Sequence, residues 1–342
     1  MKIGTRHLIG RILLVLLIVA LAAAVFFVRH LLIVLFGPVL VAILLRSTFG
    51  RLAERVGLPA KPFMPLGLLV LLGLPILIVW PFWDDLVMQI AELEQRLSDV
   101  VRTIAQRAQD AGYVSMEDAK VETLSGPIGA VLGQAFSVLQ SSMNVFFELI
   151  FFLFAALYLA LDPGLYRRGL KKLVPAERRD QLDDAMDRVG DGLGRWLQVQ
   201  VVTMTIVGVV VFAGLMLLGV PLAGLLAVTT ALAEFVPIVG PLAAAVPAIL
   251  VGFGESFELG LWTTGLYIAV NQLEGNVLQP VLQQEHVSLP PVLTLSGTVA
   301  IGALFGFTGV VVAVPMVLAT MILVQVFWTE PLERLSDRTH EP

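Results

Sequence analysis

The sequence predicts an all-α, polytopic integral membrane protein. Three observations carry that expectation. Of 342 residues, 57% are hydrophobic and only 14% charged, against about 45–50% and about 25% in soluble domains. Apolar runs recur at lengths close to the ~20 residues a helix needs to cross the hydrocarbon core. Lys and Arg are concentrated in every second connection between those runs. The net charge of −5 decides nothing about partners, and the absence of Cys excludes disulfides, thiolate metal sites and Cys nucleophiles.

The runs are taken in order. Ile12–Val28 follows Lys2, Arg6 and Arg11 and is 17 residues long. A secretory signal core is shorter, about 7–15 residues, so this run reads as a retained first span. Leu31–Leu45 is the second, interrupted by Gly37-Pro38. Phe63–Trp83 is the third, Asn144–Leu161 the fourth, with Glu148 inside it, and Val199–Val220 the fifth. Residues 221–327 stay apolar, but Pro, Gly and isolated acids interrupt them, as expected of broken or re-entrant helices.

Two polar segments separate the spans. Residues 84–142 carry nine acids and four bases. Leu86, Ile90, Leu93, Leu97, Val100, Ile104 and Ala108 recur there at helical spacing. Residues 162–198 carry eight bases. Cytoplasmic loops are enriched in Lys and Arg. The N-terminus, the loop bearing Arg46, Arg51, Arg55 and Lys61, and residues 162–198 are therefore expected inside, and 84–142 outside. The resulting plan has three spans in 1–83, an extracytoplasmic helical segment in 84–142, a fourth span in 143–161, and a basic cytoplasmic segment in 162–198. A broken transport region, 199–328, and a cytoplasmic tail, 329–342, complete it. The bases at Arg167–Arg179 suit a solvated topology signal that touches anionic lipid.

In a bilayer, non-helical backbone is tolerated only where protein buries it or water reaches it. Breaks inside apolar segments therefore point to a substrate path. Three breaks are dense: "AEFVPIVGPLAAAVP" with Glu234, Pro237, Gly240, Pro241 and Pro247; "NQLEGNVLQP" with Asn271, Glu274, Gly275, Asn276, Gln279 and Pro280; and "GALFGFTGVVVAVP" with Gly302, Gly306, Gly309 and Pro315. Ionisable groups at membrane depth cost at least about 2.5 kcal/mol and are candidate functional groups. No Lys or Arg lies between Arg195 and Arg334. Glu234 and Glu274 must then be protonated, face water or bind a cation; capping a helix at the interface is the alternative role for each. The second break is expected to be unwound or kinked. The three glycines suit helix packing or a hinge. Glu148 suits an interfacial role, and His286 a solvated loop. No HExxH, Walker or GxSxG motif is present, so no enzyme activity and no cofactor are expected, and any transport must run on a gradient or downhill.

"PIVGPLAAAVPAIL", "NQLEGNVLQPVL", "VSLPPVLTL" and "GALFGFTGVVVAVP", in that order, resemble the signature of the autoinducer-2 exporter family of bacterial transporters. The resemblance covers nearly the whole chain. It implies about eight membrane segments in the bacterial inner membrane and export of a small polar molecule, such as autoinducer-2. Sodium(lithium)–proton antiport through Glu234 and Glu274 is the alternative. It also implies a homo-oligomer, with a pentamer among the expected assemblies, and no nucleic-acid partner. The family's Pro-Gly-Pro element falls on Pro237, Gly240 and Pro241, its Glu-Asn-Pro element on Glu274, Asn276 and Pro280, and its Gly/Pro element on Gly302, Gly306, Gly309 and Pro315. After Pro280, where the family carries a basic residue and a Gly, this chain has "QQEHVS".

Overall fold

The computed structural model describes residues 35–57, 59–79, 142–283 and 290–332, together with Met88, Gln89, Glu92, Leu93, Gln95 and Arg96. The first expected span, most of 84–142, His286 and the end of the tail lie outside the described residues. Every described element is helical, and no strand occurs among them. The described helices include three that are long and apolar enough to cross a membrane, or four if a bent pair counts as one. The all-α polytopic architecture follows.

Helix α1 (Leu35–Val56) runs through Gly37-Pro38 without a break and contains a π turn at Arg46–Gly50. It ends at Gly57 in the left-handed conformation, the usual glycine C-cap. Helix α2 is Ala60–Val79 and α3 is Ser142–Leu161. Arg46 Nη1 donates to Ala160 O at 2.9 Å, supplying one of the carbonyls that a helix end leaves without an internal donor.

The chain then turns sharply. Asp162 precedes Pro163, and a residue before proline avoids the α region; its φ and ψ are −138° and 72°. Its carboxylate accepts from Leu165 N–H at 3.1 Å and caps a new helix that opens on proline. This helix, α4 (Pro163–Lys172), lies at 82° to α3. It is tied to the next helix by ion pairs from Arg167 to Asp183 and Asp187 and from Lys171 to Asp183.

Helix α5 (Arg179–Leu218) is a single 40-residue rod, about 60 Å long. Its first half is charged and its second half apolar, so the basic segment and the fifth span are one element. Gln200, Thr203, Val207, Val211 and Leu215 form its buried stripe, spaced at three and four residues as one helix face requires. A Schellman closure ends it: Val220 N–H reaches Leu215 O at 3.0 Å and Gly219 has φ 71°.

Helices α6 (Ala223–Ala233), α7 (Val239–Glu255) and α8 (Phe257–Leu273) follow α5 in an up-and-down arrangement. The core between them holds Val207, Val211, Leu215, Leu226, Ala248, Val251, Tyr267 and Val270, and Leu93 inserts into the same cluster. Arg96 pairs with Glu255 at the α7–α8 hairpin. Helix α8 continues through a π turn, Glu274–Leu278, into α9 (Gln279–Gln283).

Helix α10 (Pro291–Val324) is not one rod. Gly306 has φ 67° and ψ −151°, a region open essentially to glycine alone. Val317 packs against Gly297, and Val310 against Gly302, pairs that a straight helix would hold about 30 Å and about 12 Å apart. The two halves fold back into a hairpin with Gly306 at its tip. Residues 291–305 rise only about 22 Å, short of the ~30 Å core, so this half does not span it alone, and the 292–332 candidate span is a folded one. Its returning half packs Leu318, Ile322 and Val326 on Ala185, Leu193 and Leu197 of α5.

Two predictions follow from these junctions. Gly306→Ala should lower stability by ~1–3 kcal/mol, whereas Gly169→Ala, in mid-helix with open space around it, should be neutral or stabilising; thermal unfolding in detergent separates them. The Asp183 carboxyl is held below its usual range, chiefly by the hydrogen bond from Lys171 and then by Arg167. Its contribution is complete above the ordinary carboxylate range and is lost as pH falls through the depressed value. The protection factors of amides 164–172, corrected for the intrinsic exchange rate at each pH, should therefore fall on acidification, and Asp183→Asn should show that reduced protection already at neutral pH.

Candidate functional site

The first break is where the chain reverses between α6 and α7. Ile238 sits at φ 71° and ψ −56°, an outlier for a β-branched residue. Gly240 lies directly on the Ala233 backbone carbonyl, leaving no room for a Cβ. Pro241 is buried behind it and Pro237 half-buried. Phe235 fixes the turn from the other side by an edge-on contact with Trp196, ring centroids 5.7 Å apart.

Glu234 heads this turn and is 1% exposed. Gln200 Nε2 donates to its backbone carbonyl at 2.5 Å. Neither carboxylate oxygen has a hydrogen-bond partner among the described residues. The nearest charge is a second acid, Glu274, which is close enough to interact with it and is itself 6% exposed. Glu274 Oε1 accepts from Gln279 Nε2 at 3.2 Å. One helical turn above Glu234, Thr230 Oγ1 lies 2.8 Å from the Tyr267 hydroxyl. Thr203, about one turn along α5 from Gln200, is also buried. The cluster thus draws on α5, α6, α8 and the π turn.

The depth of the site follows from α5. Gln200 is five residues beyond Arg195, a rise of about 7.5 Å. Glu234 therefore sits near the charged end of the bundle, not at the centre of the bilayer where its place in an apolar stretch suggests. The expected path residues divide. Glu234, Gly240, Pro241 and Glu274 are buried at the junction, whereas Asn271, Asn276, Gln279 and Pro280 are exposed at its rim. Asn276 Nδ2 donates to Gln272 Oε1 at 3.3 Å.

One expectation is corrected here. Residues 271–283 are not unwound: they stay helical, and the irregularity is the π turn at Glu274–Leu278. A π turn keeps its backbone bonded i to i+5 and shifts the side-chain register, and such turns are frequent at functional sites. Of the residues expected to pack or hinge, Gly302 and Gly309 pack the two halves of α10 against each other, Gly306 is the chain reversal between them, and Pro315 is buried in the returning half. Glu148 is exposed on α3. Sequence reasoning missed Gln200, Thr230 and Tyr267. Their signal was a polar residue at helical spacing on an otherwise apolar stripe, as in Gln200, Thr203 and Val207.

A hairpin folded at Gly306, a strained reversal and a buried acid pair at one end of an apolar helical bundle define, by class, a polytopic membrane protein with a polar site in its interior. Comparison with known proteins narrows this. The AI-2E family transporter profile matches residues 14–328, and the chain belongs to that family. It is 28% identical to "Putative transport protein YueF" of Bacillus subtilis over 331 residues, covering 90% of this chain and 89% of the relative. It is 26% identical to "Putative permease PerM" of Escherichia coli over 335 residues, 91% of each chain, and 28% identical to a similarly named Mycobacterium tuberculosis protein, MT0215, over 320 residues.

Gln200→Leu keeps the volume and removes the donor to the Glu234 carbonyl. It should cost ~1–3 kcal/mol, measured by thermal unfolding, while Gln198→Leu, whose amide bonds only the Thr48 hydroxyl at an exposed position, should stay within ~1 kcal/mol.

Proposed function

We propose that the chain is a secondary transporter of the bacterial inner membrane that exports a small polar molecule, with Glu234 and Glu274 as its central binding groups. One observation carries this reading. A carboxylate whose oxygens meet no donor among the described residues lies within hydrogen-bonding reach of a second buried carboxylate, and no Lys or Arg lies between Arg195 and Arg334. Such a pair requires a positive partner, and a proton, a metal ion or the donor groups of a polar solute would each supply one. The rim amides Asn271, Asn276 and Gln279 offer a hydrated approach. The charged half of α5, with Arg179, Arg188 and Arg195, continues the basic segment 162–198 that the charge rule for cytoplasmic loops assigns to the inside, which supports a site that opens toward the compartment from which an exported solute comes. No nucleotide motif is present, so a gradient supplies the driving force.

A sodium- or lithium–proton antiporter is the second reading. The same unpartnered oxygens favour it, since a cation and a proton can alternate on them. Purified protein in sealed liposomes with an internal pH-sensitive dye decides between the two. Cation-dependent collapse of an imposed proton gradient, lost in both Glu234→Gln and Glu274→Gln, selects the antiporter. No cation response from folded protein, with a metabolite retained in cells lacking the gene and released again by the wild-type gene but not by Glu234→Gln, selects the exporter. Wild-type activity of both variants in both assays overturns the assignment of the site.

A further inference from the structure

We infer that α4 lies in the headgroup layer of the membrane and binds anionic phospholipid through Arg168 and Lys172. Helix α4 begins one residue after a spanning helix ends and leaves it at 82°. A helix so placed runs along the membrane surface, not away from it. At 100° per residue, Leu165, Tyr166, Gly169, Leu170 and Leu173 fall within an arc of about 140°. The large members of this set are unusually open: Leu165 is 56% exposed, Tyr166 42%, Leu170 49% and Leu173 80%. No protein element covers them among the described residues. The arc is an apolar face with an aromatic of the kind enriched at membrane interfaces.

The basic residues divide into two sets by what they meet. Arg167 and Lys171 point to α5 and are neutralised there by Asp183 and Asp187. Arg168 and Lys172 lie on the flank between that attachment and the apolar arc. Neither has a carboxylate partner among the described residues. Their positions suit snorkelling, with the aliphatic stems over the apolar face and the charges level with phosphate. An amphipathic helix with this division lies in the interface plane and is attracted by anionic lipid. The acids of α5 therefore do more than anchor α4. They leave two unpaired bases, one turn apart, beside the lipid-facing arc.

The absence of Cys allows a direct test on the full-length protein. Gly169→Cys sits on the apolar arc with open space around it, and Asp180→Cys, exposed at the start of α5, serves as the aqueous reference. Each is labelled with bimane in phosphatidylcholine vesicles and quenched by spin-labelled phosphatidylglycerol or, at equal mole fraction, spin-labelled phosphatidylcholine. The label at position 169 should be quenched by lipid and shielded from aqueous iodide, with a clear preference for phosphatidylglycerol. Adding Arg168→Gln and Lys172→Gln should reduce that preference by about fivefold per charge while lipid quenching at position 169 persists, which also reports that α4 is still folded on the membrane. Iodide quenching at position 169 equal to that at position 180 would overturn the placement. Equal quenching by the two lipids, unchanged in the double variant, would overturn the anionic-lipid site.

Discussion

Two carboxylates buried side by side, with no ion pair to a cation among the described residues, are the constraint around which the described structure is organised. An isolated ionisable group at membrane depth already costs several kcal/mol, and a pair of like charge costs more. Such a pair persists only where the surrounding helices over-determine it. Each of the two acids is fixed by a different device. Glu234 is fixed through its backbone: Gln200 from α5 holds its carbonyl, Phe235 is wedged against Trp196, and Gly240 brings α7 onto the Ala233 carbonyl. Glu274 is fixed by the π turn that rotates it inward. The side-chain oxygens of Glu234 meet no donor among the described residues, which is unexpected of a group kept for stability and expected of one kept for exchange.

The backbone obeys the same economy. Ile238 sits in a conformation that costs on the order of 1–3 kcal/mol, at the residue where α6 hands over to α7. Gly306 makes the corresponding reversal in α10 without strain because it has no side chain. The two reversals differ in kind. The one at Gly306 is a packing solution, a hairpin tip closed by Gly302 and Gly309. The one at Ile238 is strained beside a buried acid, and strain of that sort clusters at sites whose geometry matters more than their stability.

Much of this was legible in the sequence. The fold class followed from composition and run length, and the three breaks were located by Pro, Gly and acids in apolar runs. The rest was not, for identifiable reasons. The basic segment and the fifth span read as two elements because their compositions differ, yet backbone hydrogen bonding ignores polarity and α5 runs through both. The second break read as unwound because Pro280, Gly275 and amides disfavour helix. Pro280 comes at the second residue of α9, just past the π turn. The proximity of Glu234 to Glu274, 40 residues apart, is a tertiary fact that no local pattern encodes. Depth was not legible for a similar reason: position along an apolar stretch gives depth in the bilayer only if the stretch is straight, and this one turns back just after Glu234.

The π turn shows why a deformed helix suits this position better than an unwound one. Unwound backbone near hydrocarbon would need water or side chains for each freed N–H and C=O. A π turn frees almost none of them, because each donor shifts its bond by one residue. What it changes is direction. Along α8, Tyr267 and Val270 face the core on a regular helical step, and the next buried position is Glu274, while Asn271, Gln272, Gly275 and Asn276 face outward. A single element thus presents an acid to the interior and amides to the rim within one turn of helix. That arrangement keeps the bundle closed against lipid and still gives the acid pair a polar neighbour, Gln279, at the boundary where water begins.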